Sequence, residues 1–239
     1  RGLLLNSNQT VSINNSKITA TADGIRSDAA ATITIDNDTE IVSSDIAIRL
    51  QTDNNTLTIN DGLVQGTNYG IYTYGQSTVI NITGGSIIST RYDGIRDERS
   101  KSTSNWPQYA SKFNITGGEI SGPRYGMVAS YCITNISDAE IRNTSSNNSN
   151  YAYYNGGWAS LILNDGAFIN APNASAIWNT SSITINDGAR IYAGHNNSYG
   201  IYSNYLSLTM NGGSIETPGS NAYGVYCANN EYKNIKMYG

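Results

Sequence analysis

Three eight-residue stretches, INITGGSI at 80–87, FNITGGEI at 113–120 and LTMNGGSI at 208–215, are versions of one another. Self-similarity at a short period constrains a fold more than any single motif, because each copy has to bury its apolar face against its neighbours. Taking the last apolar residue before the polar turn as an anchor gives Ile13, Ile35, Ile59, Ile82, Ile115, Ile136, Leu163, Ile185 and Met210, with Ile235 expected to start a further turn. Consecutive anchors lie 21 to 33 residues apart, most of them close to two dozen.

Each anchor leads into a short polar segment, such as NDG at 60–62, TGG at 83–85 and 116–118, NDG at 164–166 and 186–188, and NGG at 211–213. Gly and Asn tolerate positive φ, so these segments predict tight corners. An apolar residue five or six places after the anchor opens the next strand. Asn14, Asn60, Asn164, Asn186 and Asn211 directly follow their anchors, where side-chain amides of successive turns can bond to one another.

A second signature follows in every repeat: DGIR at 23–26, IAIR at 46–49, YGIY at 69–72, DGIR at 93–96, YGMV at 125–128, YAYY at 151–154, SAIW at 175–178, YGIY at 199–202 and YGVY at 223–226. Its third residue is apolar and belongs to the core. Strand alternation therefore turns the fourth outward, which gives one external row of Arg26, Arg49, Tyr72, Arg96, Val128, Tyr154, Trp178, Tyr202 and Tyr226. Arginine gives way to aromatic rings along it.

Short strands punctuated by Gly and Asn, with no helical periodicity, predict an all-β parallel solenoid. The runner-up is a sandwich or a propeller, but a propeller blade needs about 40 residues or more, and about 24 is too short. The TGGSI, TGGEI and NGGSI repeats resemble those of right-handed parallel β-helix proteins, the pectin-lyase-like superfamily, and most of all bacterial autotransporter and adhesin passengers. That resemblance implies a right-handed parallel β-helix of about ten turns at roughly 24 residues per turn. Residues 1–239 then form a single domain. The chain opens at Arg1, without an initiator Met, and is read as a piece of a longer surface protein.

Composition agrees and excludes several classes. Only 13% of residues are charged, Gly numbers 24 against 4 Pro, and Tyr numbers 18 against 2 Phe. The net charge of −4, with no basic block, argues against nucleic acid as a partner. No apolar run approaches the roughly 18 residues of a membrane helix. The β-helix lyase fingerprints Asn-Thr-Asp, Asp-Asp, Gly-His-Gly and Arg-Ile-Lys are absent, and the one histidine, His195, sits in an Asn-rich loop. The NDG corners offer Asp61, Asp165 and Asp187 in separate turns, too few ligands per site for a calcium cage, so neither metal nor cofactor is expected.

Two regions can carry function. The longest insertion, between Ile95 and Ile115, contains Asp97, Glu98, Trp106 and Tyr109 and should leave the rod as a loop. Adjacent carboxylates such as Asp97 and Glu98 seldom converge on one bond. The second region is the aromatic end of the external row, flanked by longer loops around 143–150, 171–173, 194–198 and 217–221. Aromatic rings stack on the apolar faces of sugars, while Tyr, Asn and Ser read their hydroxyls, so Tyr154, Trp178, Tyr202, Tyr226, Trp106 and Tyr109 form the candidate ligand-binding set. Cys132 and Cys227 fall three to four turns apart, about 14 Å or more and too far for a disulfide. Sequons such as those at Asn81 and Asn114 follow from the Asn/Thr-rich composition.

These features favour a non-enzymatic module on the bacterial cell surface or outside the cell, with a glycan or host-surface partner. A β-helix polysaccharide lyase or hydrolase is the alternative reading. A third is a filament subunit that associates through uncapped solenoid ends.

Overall fold

The computed structural model describes residues 1–98, 107–147, 149–229 and 233–238. They form one all-β parallel solenoid of three sheets. The first sheet holds ten strands, from Leu3–Leu5 to Tyr223–Cys227, the second ten, from Gln9–Asn14 to Lys233–Met237, and the third nine, from Lys17–Ala20 to Ser214–Glu216. Each turn contributes one strand to each sheet, and every pairing is between strands three apart in chain order. There are thus nine complete turns and a tenth that lacks its third strand, against the expected ten.

The anchor row is in register as the repeat requires. Ile13 pairs with Ile35 and so on through Ile59, Ile82, Ile115, Ile136, Leu163, Ile185 and Met210. The last step corrects the sequence reading: Met210 pairs with Met237, and Ile235 pairs with Leu208. The apolar alternation in NIKM offers two inward candidates, and the final connection is two residues longer than the spacing of the preceding turns suggests.

A second apolar row, Ile18, Ile41, Val64, Ile87, Ile120, Ile141, Ile169, Ile191 and Ile215, lines the third sheet. With Ile25, Ile48, Ile71, Ile95, Met127, Tyr153, Ile177 and Ile201 of the first sheet, these rows close a continuous core. Fully burying each such side chain stabilises the fold by about 1.5–3 kcal/mol.

The corner between the second and third sheets explains the Gly-Gly pairs. Gly85 and Gly118 take φ of +79° and +84°, and a Cβ on either would lie 2.6 Å from the carbonyl oxygen of Gly62 or Gly85 one turn below. Asn15 and Asp138, residue types that tolerate the left-handed region, hold it in turns without the glycine.

The expected amide stacks are present at this corner. Asn211 Nδ2 donates to Asn186 Oδ1 and Asn186 Nδ2 to Asn164 Oδ1, both at 2.8 Å. Asn14 instead accepts from Asn37, and Asn60 from Thr83. A further stack on the second sheet joins Asn114 to Asn81 at 2.9 Å and Asn135 to Asn114 at 3.5 Å, which engages the amides of three of the sequons. Cys132 lies on the second sheet and Cys227 on the first, and both are thiols.

Candidate functional site

The outward row of the first sheet is continuous. Arg26 pairs with Arg49, Arg49 with Tyr72, Tyr72 with Arg96, Arg96 with Val128, Val128 with Tyr154, Tyr154 with Trp178, Trp178 with Tyr202 and Tyr202 with Tyr226. Between the first residue of each signature and the outward fourth lie a Gly or Ala and a core residue. Small residues are needed there because a Cβ at Gly94 would meet the carbonyl oxygens of Gly126 and Ser121 at 2.7 and 2.8 Å and Ile120 Cγ2 at 2.9 Å.

Where the first residue of the signature is Tyr it adds a second external row that sequence reasoning left out, whereas Asp23, Ile46, Asp93 and Ser175 at the same place are buried. Tyr125 pairs with Tyr151, Tyr151 with Ser175, and Tyr199 with Tyr223. The signal was the leading Tyr of the YG motifs, which alternation alone assigns to the interior.

Together the rows form a two-wide field of rings. Tyr154 and Trp178 stack at 4.3 Å with planes 8° apart. Tyr202 and Tyr226 stack at 5.5 Å and 19°, and Tyr199 and Tyr223 at 5.9 Å and 16°. Tyr125 meets Tyr154 edge-on at 5.6 Å, and Tyr199 meets Tyr202 edge-on at 5.2 Å. Burial pushes the phenols of Tyr125, Tyr154 and Tyr151 upward, that of Tyr151 to about 12, so their hydroxyls remain donors as well as acceptors near neutral pH.

The other half of the face is a lattice of paired charges. Buried Asp23 accepts from Arg49 at 2.9 Å and lies 3.7 Å from Arg26, which also pairs with Asp28 at 2.6 Å. Fully buried Asp93 is held by Arg96 at 2.9 Å and by two nitrogens of Arg124 at 2.8 and 2.6 Å. Glu98 accepts from Arg96 Nε at 3.2 Å and from Tyr72 Oη at 2.9 Å. The Arg96 hydrogen bonds, followed by the one from Tyr72, hold the Glu98 carboxyl below the usual glutamate value against the opposing effect of partial burial.

Where the two halves meet, Val128 leaves a notch in the row. It floors a cleft of about 410 Å³ walled by Arg96, Glu98 and Arg124 on one side and by Tyr125 and Tyr154 on the other.

The remaining sequence candidates fall elsewhere. Tyr109 sits in the turn before strand Ser111–Ile115, at the corner between the first and second sheets, 44% exposed. Its carbonyl accepts from Ser77 N at 3.1 Å. It therefore belongs to a different edge from Tyr154, Trp178, Tyr202 and Tyr226. Exposed Trp158 and Tyr205 occupy the same kind of corner in later turns. Trp106 lies outside the described residues.

Asp97 and Glu98 face opposite ways, the first fully buried and the second with a side chain 47% exposed, so they do not flank one bond. The His195 ring is hydrogen-bonded to the Asn196 carbonyl within its own loop. Among the described residues no three His, Cys, Asp or Glu side chains cluster as a metal site. No helix among them is long and apolar enough to cross a membrane.

The flanking loops lie on the side of the first-position row. Asn143 and Asn150 fasten the first of them: Asn143 Nδ2 donates to the carbonyls of Pro123, Arg124 and Tyr151, and Asn150 Nδ2 to that of Pro123. Comparison with protein-family models, with characterised proteins and with solved structures returned no match.

Proposed function

We propose that the protein is a non-enzymatic binding module whose aromatic face engages glycan. In this reading it is a right-handed β-helix of the passenger or adhesin type, displayed at a bacterial cell surface or outside the cell. The observation that carries the reading is the flat, partly exposed Tyr154–Trp178 stack, continued two turns further by Tyr202 and Tyr226. Parallel rings stacked along the sheet offer a continuous apolar surface to sugar rings, and the tyrosine hydroxyls around them supply directional contacts.

The lyase or hydrolase alternative has less support. Its best carboxylate pair does not converge, and the exposed member, Glu98, is shifted toward ionisation, whereas a general acid requires the opposite shift. The test is a broad glycan panel that scores retention and chain shortening together, for the native protein and for a Trp178→Ala, Tyr202→Ala double variant. Retention without shortening, lost in the variant, supports the reading. Shortening of any glycan overturns it.

A further inference from the structure

We propose that the cleft over Val128 is a subsite for one uncharged pyranose at the end of the aromatic face. The inference rests on the glycan reading and adds to it a place and a ligand class. Neighbouring strands lie about 4.8 Å apart, so Arg96 and Tyr154, on either side of Val128, are separated by about 10 Å at the backbone. With only a valine between them, the row opens there into a cleft of about 410 Å³. One wall is the edge of a stacked aromatic pair, since Tyr154 is backed by Trp178. The facing wall is polar and closed: Arg96 is bound to Glu98, and Glu98 in turn accepts from Tyr72 of the preceding turn.

Charge pairing in that wall selects the ligand. Two guanidinium groups, Arg96 and Arg124, meet two carboxylates, Asp93 and Glu98, in close pairs at 2.6 to 3.2 Å. A uronate or sulfate entering the cleft has to displace one of these carboxylates or sit beside it, and like charges brought together without solvent are costly. A sugar hydroxyl both donates and accepts, so it can add to Glu98 and to a guanidinium without breaking either pair. Further along the face the outward side chains carry no charge: Tyr151, Tyr199 and Tyr223 in one row, with Ser175 buried between them, and Tyr154, Trp178, Tyr202 and Tyr226 in the other. No cation is placed there for an acidic polymer.

Val128→Trp restores a ring to the notch and fills the cleft, while Glu98→Gln keeps its shape and removes the carboxylate. Retention of the full chain is measured on immobilised cellohexaose, xylohexaose, mannohexaose and laminarihexaose, beside polygalacturonate and heparin. Trp178→Ala is run in parallel, and the thermal midpoint of each variant is recorded. The expected result is retention on at least one neutral hexasaccharide and on neither polyanion. Affinity should fall about tenfold in Val128→Trp and several-fold in Glu98→Gln. If Val128→Trp does not fold, the Glu98→Gln result decides.

Neutral binding that is lost in Trp178→Ala but unchanged in the folded cleft variants overturns the subsite and leaves the aromatic face standing. Preferential retention on polygalacturonate or heparin overturns the uncharged class. Retention on no glycan overturns the subsite together with the glycan reading beneath it.

Discussion

Tyr154 lies flat on Trp178 one turn away, with ring centroids 4.3 Å apart and planes 8° from parallel. The parallel register places the two side chains directly above one another. The stack is therefore set by the backbone and needs no ligand to assemble it. Face-to-face contact of this kind contributes about 0.5–1.5 kcal/mol beyond area burial. A double-mutant cycle of Tyr154→Ala and Trp178→Ala, followed by chemical denaturation, should return a coupling energy in that range. A coupling near zero would show that the rings are neighbours without mutual stabilisation.

Asn179 joins three turns from inside the core. Its Oδ1 accepts from Asn155 at 2.7 Å, and its Nδ2 donates to the Ser181 carbonyl at 2.9 Å and Ser203 Oγ at 3.0 Å. Asn179→Ala removes these bonds where water cannot replace them, so a loss of about 2–3 kcal/mol in unfolding free energy is expected. Equilibrium denaturation measures it.

Gly94 occupies the small-residue slot of the first sheet, where an added Cβ would lie under 3 Å from two carbonyl oxygens and a methyl group. Gly94→Val should destabilise the chain by about 1–3 kcal/mol through overpacking. Ala152→Gly, at the corresponding place two turns further along the first sheet, should cost about 1 kcal/mol or less. Thermal unfolding of both variants tests the contrast.

Glu98 titrates below the usual glutamate value in the folded chain because of its Arg96 and Tyr72 hydrogen bonds. A depressed folded pKa means that the stabilising contribution is complete above the unfolded value near 4.5 and is lost as pH falls through the folded one. The melting temperature should thus fall on acidification below about pH 4.5, and less steeply in Glu98→Gln. Melting curves from pH 7 down to pH 3 check this.

The tyrosines give the opposite sign at alkaline pH. Burial raises the phenols of Tyr125, Tyr151, Tyr153 and Tyr154, and burial with the Glu98 hydrogen bond raises that of Tyr72. Raised folded values make their contribution complete below the ordinary value of 10.0, and it is lost as pH rises through the folded values. Phenolate absorbance at pH 11 should fall short of full ionisation, with Tyr72, Tyr151 and Tyr153 holding back the most, and addition of denaturant should release the remainder.

The anchors and the external row were legible because one apolar residue per turn faces inward and one side chain per turn faces outward, so spacing alone finds them. Arg26 through Tyr226 stand in the register that the second signature implies. Four features escaped. Tyr125, Tyr151, Tyr199 and Tyr223 lie outside simple alternation, because the chain enters the first sheet across a corner. The interior run of Asn155, Asn179 and Ser203 uses polar types that composition assigns to turns, although all three are fully buried. Ile235 shares its alternation pattern with Met237, and only strand pairing separates the two. The cleft over Val128 depends on side chains from several turns, among them Arg124, whose approach to Asp93 no linear motif records.

The most direct test of the aromatic face compares two sets of ring deletions on a glycan panel: Trp178→Ala with Tyr202→Ala on the first sheet, and Trp158→Ala with Tyr109→Ala at the corner between the first and second sheets. Binding through the first sheet requires at least a tenfold loss for the first set and less than twofold for the second. Equal losses, or a loss confined to the corner pair, would contradict it.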